Sequence, residues 1–376
     1  MIGARHAPAW QTYGRGLEGL VAGDTAIAAV TSDGRLVVRG YAIEELARHA
    51  SFEEASYLVL HGELPDAATL ETWRGELVRW REDVPAPALG VLRFLPTRSH
   101  PLAQYRTALT IAACHVPEGE RTDPAAQWRR PPRILSWATT LAAAAIRHLH
   151  DRPPVAPRRE LSHAANFLWQ TLAREPSAAE LRAFETSLIV QIEHGLHAAA
   201  LAALTVFSTG TDLGGAVLAG MGALSGALHG GANQEAYAML RALDGPAAAR
   251  AWARQRLAAG HRFPGFGHRV YKVRDPRAVI LEPHARALLE SRGETRLWET
   301  YVALRDEVEA ALGTKGVHAN VDSITGLIYG AIGLPVASFP IPFCLAIQTG
   351  WMAHCLEYLP DGRVIEPGAV YVGPRG

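Results

Sequence analysis

Residues 323–356 read SITGLIYGAIGLPVASFPIPFCLAIQTGWMAHCL, without one Asp, Glu, Lys or Arg. How this stretch is read decides the fold. On length alone it could span a bilayer. Pro335, Pro340 and Pro342 interrupt it, however, Asp322 and Glu357 close it, and nothing else in the chain resembles a second span. The expected reading is a helix buried at the centre of a large helical protein, with no membrane partner.

Working outward, helical signals dominate. Ser51 and Glu54 form a Ser-x-x-Glu box before Tyr57, Leu58 and Leu60. Ser177 and Glu180 repeat it and open an Ala- and Leu-rich stretch predicted to run to about Phe207. Alanine-rich runs at 138–146, 198–203 and 247–252 favour helix, since Ala has the best intrinsic propensity. The exception is 26–40, where two apolar runs flank Asp33-Gly34, a dipeptide suited to a tight hairpin turn. A second short β element is expected at 363–372, loops at 116–133 and 151–159, and hinges at Gly214-Gly215 and Gly230-Gly231. The predicted class is all-α with a short N-terminal β-hairpin.

The chain has 376 residues, which predicts two domains or one large helical fold. Hydrophobic residues make up 48% and charged residues 20%, which excludes a disordered protein. Lys+Arg and Asp+Glu balance at 37 each, so the general attraction that nucleic acid or a membrane surface needs is missing. An anionic ligand must then be met by locally placed cations. Three cysteines, none in a CxxC pair, suit neither a disulfide framework nor structural zinc. Residues 1–13 lack an apolar core and a cleavage site, so no signal peptide is expected. A reduced, cytoplasmic location fits these features.

Of 16 histidines, His6, His49, His148 and His150 sit among Arg and polar neighbours and read as surface residues. His194, His229 and His268 lie close to glycine, which lets a ligand approach the backbone and leaves amide N–H groups free. Within ten residues stand His268, Arg269, Lys272, Arg274 and Arg277, with Asp275 the one acidic counterweight. This is either a phosphate or carboxylate site or a turn with a solvated basic face. Asp322, at the mouth of the uncharged run, is either a partly desolvated base or a helix N-cap. No HxH or HxxxH pairing near it supports a metal site.

Taken in order, the motifs resemble those of citrate synthases along nearly the whole chain. They are Gly-Leu-Glu-Gly-Leu-Val-Ala-Gly-Asp-Thr at 16–25, Arg-Gly-Tyr at 39–41, Ser-Phe-Glu-Glu at 51–54, His-Gly-Glu-Leu-Pro at 61–65 and His-Pro-Leu at 100–102. His-Gly-Gly-Ala-Asn at 229–233, Gly-Phe-Gly-His-Arg-Val-Tyr-Lys at 265–272, Asp-Pro-Arg-Ala at 275–278 and Asn-Val-Asp at 320–322 follow. The resemblance implies a homodimer with a large helical domain, here 1–230 and 331–376, and a small closing domain at 231–330. It implies that Asp322 removes the α-proton of an acyl-CoA, His229 donates to the thioester oxygen, and His268 polarises the acceptor's ketone. His194 and Arg277 would hold an acceptor carboxylate. Arg269, Lys272, Lys315 and Asn320 would face CoA, itself a substrate, and no cofactor or metal is implied.

This sequence departs from the family at the second carboxylate clamp, which uses two arginines, one from each subunit. Counting back from Gly350-Trp351, Ile347 takes the place of the first. In Ile365-Glu366-Pro367-Gly368, Glu366 takes the place of the second. The family's His-x-Asp-His-Glu reads Gln191-Ile192-Glu193-His194-Gly195, and Asn-Ala-Ser-Thr reads His197-Ala198-Ala199-Ala200. The Phe-Tyr-Ser after the catalytic Asp reads Ser323-Ile324-Thr325. The expected activity is therefore condensation of an acetyl- or propionyl-CoA enol with a 2-oxo acid other than oxaloacetate. The alternatives are ordinary citrate or 2-methylcitrate synthesis, with Arg363 or Arg375 entering the clamp, and a non-catalytic CoA-binding homologue.

Overall fold

Two local signals start the helical framework. The Ser51 hydroxyl accepts from the Glu54 amide at 3.3 Å, while the Glu54 carboxylate accepts from the Ser51 amide at 2.8 Å. That capping box satisfies two otherwise orphan donors and opens helix Phe52–His61. Ser177 and Glu180 do the same for Ala178–Val190. The computed structural model describes residues 15–17, 20–226, 229–360, 362–369, 371 and 373–374. Within them the fold is all-α apart from one small sheet.

The uncharged stretch becomes two helices, Val321–Ile332 and Pro340–Tyr358, separated where Gly333 takes a left-handed conformation (φ 98°). Val336–Tyr358, which holds the second of these, is the one helical segment among the described residues long and apolar enough to cross a membrane, yet 83% of its apolar window lies inside the protein. Pro340–Tyr358 packs against Phe52–His61, Pro131–His148, Ala198–Ser208 and Leu213–Leu224. The closeness of that packing depends on glycine. A Cβ on Gly220 would fall 2.6 Å from the Trp351 ring, and one on Gly350 would collide with the Glu193 carboxylate.

Helices Ala232–Ala242, Gly245–Ala258, Pro276–Ser291, Thr295–Leu312 and Val321–Ile332 pack largely on one another, while Pro276–Ser291 and Val321–Ile332 also touch Ala178–Val190. The alanine-rich runs fall in Pro131–His148, Ala198–Ser208 and Gly245–Ala258.

Several local expectations are corrected. The stretch from Ser177 is not one helix: it breaks over 191–197, where Gly195 has φ 69° and the buried Glu193 carboxylate captures the Gly195 amide. The segment expected to be a loop at 116–133 holds the short helices Glu118–Thr122 and Pro124–Gln127 and the start of Pro131–His148. Gly214 and Gly215 are no hinge: they lie in the first turn of Leu213–Leu224, whose cap Asp212 accepts from the Gly215 amide. Residues 362–369 form no strand, and Val370 and Val372 lie outside the described residues.

The hairpin is real but differs in its turn. Strands β1 (Ala28–Val30), β2 (Leu36–Val38) and β3 (Tyr41–Ala42) form an antiparallel sheet in chain order. Thr31 and Arg35 close the β1–β2 turn through a 3.0 Å backbone bond, with Gly34 at φ 89°. The tip reaches across the molecule: the Lys272 amide donates to the Ser32 carbonyl at 3.0 Å, and a Cβ on Gly34 would meet Val273 at 2.7 Å.

Candidate active site

The loop bearing His268 and the helix bearing Asp322 are tied together by backbone. Gly267 N donates to His318 O at 2.7 Å, and Asn320 N to Gly265 O at 2.9 Å. Gly265 (φ 78°) permits this, because a Cβ there would lie 2.8 Å from Ser323 Cβ. Asn320 completes the brace: its Nδ2 donates to Gly267 O at 2.8 Å, and its Oδ1 accepts from the Asp322 amide at 3.0 Å. The N-cap of Val321–Ile332 is therefore Asn320, which leaves the Asp322 carboxylate free of that duty. Among the described residues nothing donates a hydrogen bond to that carboxylate. Asp322 keeps partial solvent access, but the protein around it pushes its pKa up to about 6, with Arg277 opposing and Asp275 assisting. A carboxylate raised that far is a stronger base than a free one and is still ionised at neutral pH.

His268 shows which proton it can offer. Its Nδ1 accepts from the amides of Val270 and Tyr271, both at 3.0 Å. Burial and then Arg277 push its pKa down to about 4, so the ring is neutral and its proton sits on Nε2. Arg277 Nη2 lies 3.5 Å from that Nε2. These are two donors side by side, and neither satisfies the other. An oxygen placed against both would accept from each, which is the arrangement a polarised carbonyl needs.

Arg277 is buried and paired with buried Asp275, Nη2 to Oδ2 at 2.8 Å and Nε to Oδ1 at 3.0 Å. Burial would raise the Asp275 pKa, but the charge and hydrogen bonds of Arg277 outweigh it and hold the carboxylate below its usual range. Asp275 also accepts from the Val321 amide at 3.1 Å, so one carboxylate orients the arginine and links two helix starts. His194 stands across the cleft, its Nε2 3.0 Å from the Tyr271 hydroxyl and its ring edge-on to His268 with centroids 5.1 Å apart. Burial, then Arg277, holds the His194 pKa well below that of a free imidazole.

His229 follows a turn in which its amide donates to Gly226 O at 2.9 Å. Its Nε2 lies 3.3 Å from His197 Nδ1, and Trp351 Nε1 donates to His197 Nε2 at 3.3 Å. Burial lowers the pKa of His229 and brings that of His197 to about 3, the latter also through His229.

The structure thus brings His194, His268 and Arg277 into linked contact, ties Asp322 to them through Asn320 and Asp275, and pairs His229 with His197. Arg269, Lys272 and Lys315 are exposed. Gly316, next to Lys315, lies close to Lys272, which a Cβ on that glycine would meet at 3.2 Å, so Lys272 and Lys315 share one rim. The Lys272 ammonium rests on the carbonyls of His268 and Arg269 at 3.4 and 3.2 Å. Ile347 is wholly buried in Pro340–Tyr358, and Glu366 is exposed on the irregular segment 362–369 with no hydrogen bond to the cluster. Arg363 is exposed, and Arg375 lies outside the described residues. Among the described residues no group of three His, Cys, Asp or Glu could hold a metal ion.

Four participants went unassigned in the sequence: Tyr271, His197, Trp351 and Asp275, the partner of Arg277. Tyr271 had a usable signal, since it lies three residues beyond His268 inside the glycine-rich motif. A further buried pair, Glu193 with His354 at 3.0 Å, links the two core segments behind the cleft and had none.

Comparison with known proteins adds four findings. The family model described as citrate synthase, C-terminal domain, matches residues 16–368. The citrate synthase of Haloferax volcanii is 35% identical over 367 residues, covering 96% of each chain. The 2-methylcitrate synthase of Mycobacterium tuberculosis is 35% identical over 360 residues, covering 96% of this chain and 90% of its own. The solved citrate synthase of Thermoplasma acidophilum, described as its ternary complex with carboxymethyl coenzyme A and oxaloacetate, superposes with a TM-score of 0.91 at 30% identity over 96% of both chains. The chain belongs to the citrate synthase family and is an acyltransferase of the type that joins an acyl-CoA to a 2-oxo acid.

Proposed function

We propose that this enzyme condenses the enol of acetyl- or propionyl-CoA with a 2-oxo acid that lacks oxaloacetate's second carboxylate, or that carries an apolar or hydrogen-bonding group in its place. The observation that carries this reading is the pair Ile347 and Glu366 at the two arginine positions of the family's second clamp. A charge-assisted hydrogen bond contributes about 1.5–3 kcal/mol, and a desolvated carboxylate left unpaired costs more. Loss of both arginines therefore disfavours oxaloacetate by several kcal/mol, and Glu366 adds repulsion.

The other half of the chemistry has its residues. Asp322 takes the α-proton of the thioester while His229 donates to the developing enolate oxygen. The enol carbon attacks the ketone carbon, whose oxygen gathers charge against His268 Nε2–H beside Arg277, while His194 and Arg277 hold the acceptor's carboxylate. Water then cleaves the thioester and releases CoA. Every step is proton transfer, carbon–carbon bond formation or hydrolysis, so CoA enters as a substrate and no cofactor is required. The exposed rim of Arg269, Lys272 and Lys315 suits the CoA phosphates.

The assembly is read in the same spirit. Residues 231–330 form the small domain that closes over the substrates and excludes water from the enol, a reading supported by how largely the helices from Ala232 to Ile332 pack on one another. The chain works as a homodimer. Residues 198–224 carry Asp212 as their one charge, and Leu201, Val206 and Leu218 in them remain partly exposed on a single chain.

The deciding experiment is free-thiol release from acetyl-CoA and propionyl-CoA, with oxaloacetate beside pyruvate, glyoxylate and longer 2-oxo acids. Release with a monocarboxylate acceptor and little with oxaloacetate is expected. Brisk release with oxaloacetate overturns the acceptor assignment. It would favour the second reading, citrate or 2-methylcitrate synthesis, which the names of the relatives support.

A further inference from the structure

His197 has no task in the roles above, yet its contacts are specific. It stands at the entrance to helix Ala198–Ser208, where the family pattern has asparagine, and the serine two positions on is Ala199 here. Trp351 Nε1 faces its Nε2 at 3.3 Å. An indole N–H can only donate, so His197 Nε2 presents a lone pair. The ring is neutral, and its single proton must then sit on Nδ1. That Nδ1 faces His229 Nε2 at 3.3 Å and donates to it. His229 Nε2 is thereby an acceptor, and the one proton of neutral His229 is left on Nδ1.

We infer that His197, oriented by Trp351, is a positioning residue that fixes the tautomer of His229 and so presents Nδ1–H to the thioester oxygen. The inference rests on the reading of His229 as the enol-stabilising donor. Its chemical consequence is large, because an imidazole in the other tautomer would turn a lone pair toward an oxygen that is gaining negative charge. Trp351 is itself held by packing, since Gly220 leaves the space its ring occupies. The order of control runs from a core indole through one imidazole to the next, and none of these steps transfers a proton during turnover.

The test uses the full chain labelled with 15N-histidine, with His229→Ala to assign the resonance. The expected result is His229 protonated on Nδ1 and bare on Nε2. His197→Leu, which removes the donor but keeps bulk, is expected to mix or invert the tautomer. It should lower kcat for thiol release by roughly 10–100-fold, with KM for the acyl-CoA changed less than about threefold. His197→Asn keeps an N–H donor and is expected to recover most of that loss. Trp351→Phe frees His197 to rotate its proton and should give an intermediate spectrum. Finding His229 protonated on Nε2 in the unaltered protein overturns the inference without any activity measurement. So does a loss of kcat in His197→Leu with the His229 tautomer unchanged, which would mark a merely structural role. If His229→Ala leaves turnover intact, the underlying reading of His229 fails instead. If that variant is dead while His197→Leu keeps both rate and tautomer, only the present inference falls.

Discussion

The two halves of the cleft are built to different degrees within one chain. On the proposed function, the enol-forming half has its residues in place: Asp322 is freed from capping by Asn320, and His229 is backed by His197 and Trp351. The acceptor half is complete on one side, where Arg277 is locked to Asp275 and His268 turns its Nε2 toward the same point. At the two positions proposed to form its other side, Ile347 is buried and Glu366 exposed. On that proposal, the difference teaches that the two half-reactions are separable. Acid–base chemistry on the thioester needs groups held to a fraction of an ångström, whereas acceptor choice can be changed by altering charge at its edge.

The largest effect that would break this comparison is at Asp322. Asp322→Asn removes the base, and thiol release is expected to fall by about 10³-fold or more. The same change should stabilise the fold at neutral pH. With its pKa raised to about 6 in the folded protein, Asp322 binds a proton there that the unfolded chain has already lost. Stability therefore declines as pH rises from about 4 through 6, and the ionised group costs about 1–3 kcal/mol above that window. Thermal melts at pH 7.5 should show the variant melting higher, and the wild-type rate should fall as pH drops below about 6. A variant that melts lower would show that the carboxylate is paired rather than desolvated.

A smaller effect sharpens the acceptor side. Ile347→Arg combined with Glu366→Arg would supply both cations of the clamp proposed to be missing and is expected to raise kcat/KM for oxaloacetate by roughly 10–100-fold relative to pyruvate. Because Ile347 is fully buried, Glu366→Arg alone serves as the milder variant, with a gain of a few-fold expected. No shift in the ratio would show that the two positions do not face the acceptor. The smallest effect concerns the brace between the halves. Asn320→Ala loses a cap and a loop contact and should cost about 1–2 kcal/mol in denaturant melts, with the His268 loop loosened.

Legibility in the sequence followed the range of the interaction. Ser51 with Glu54 and Ser177 with Glu180 were readable because each partner lies three residues away. The break at 191–197 was not, since its causes are the Glu193 carboxylate and its partners Gly350 and His354, more than 150 residues along the chain. Candidate roles at Asp322, His229, His268, His194 and Arg277 came from motif order, with two interpretations of Asp322 left open until Asn320 was seen to hold the cap. His197 carried no such signal. Its contacts with His229 and Trp351 exist only because three segments converge, and in sequence it was one substitution among several.

The contact between the hairpin tip and Lys272 has a consequence of its own. The amide that donates to Ser32 belongs to the residue whose side chain lies on the cationic rim, four positions beyond His268. Its proton is shielded while strand-end and loop stay together, and it meets water whenever they part. That single N–H is a natural gauge in hydrogen exchange, reporting how often the loop that carries His268 leaves its seat.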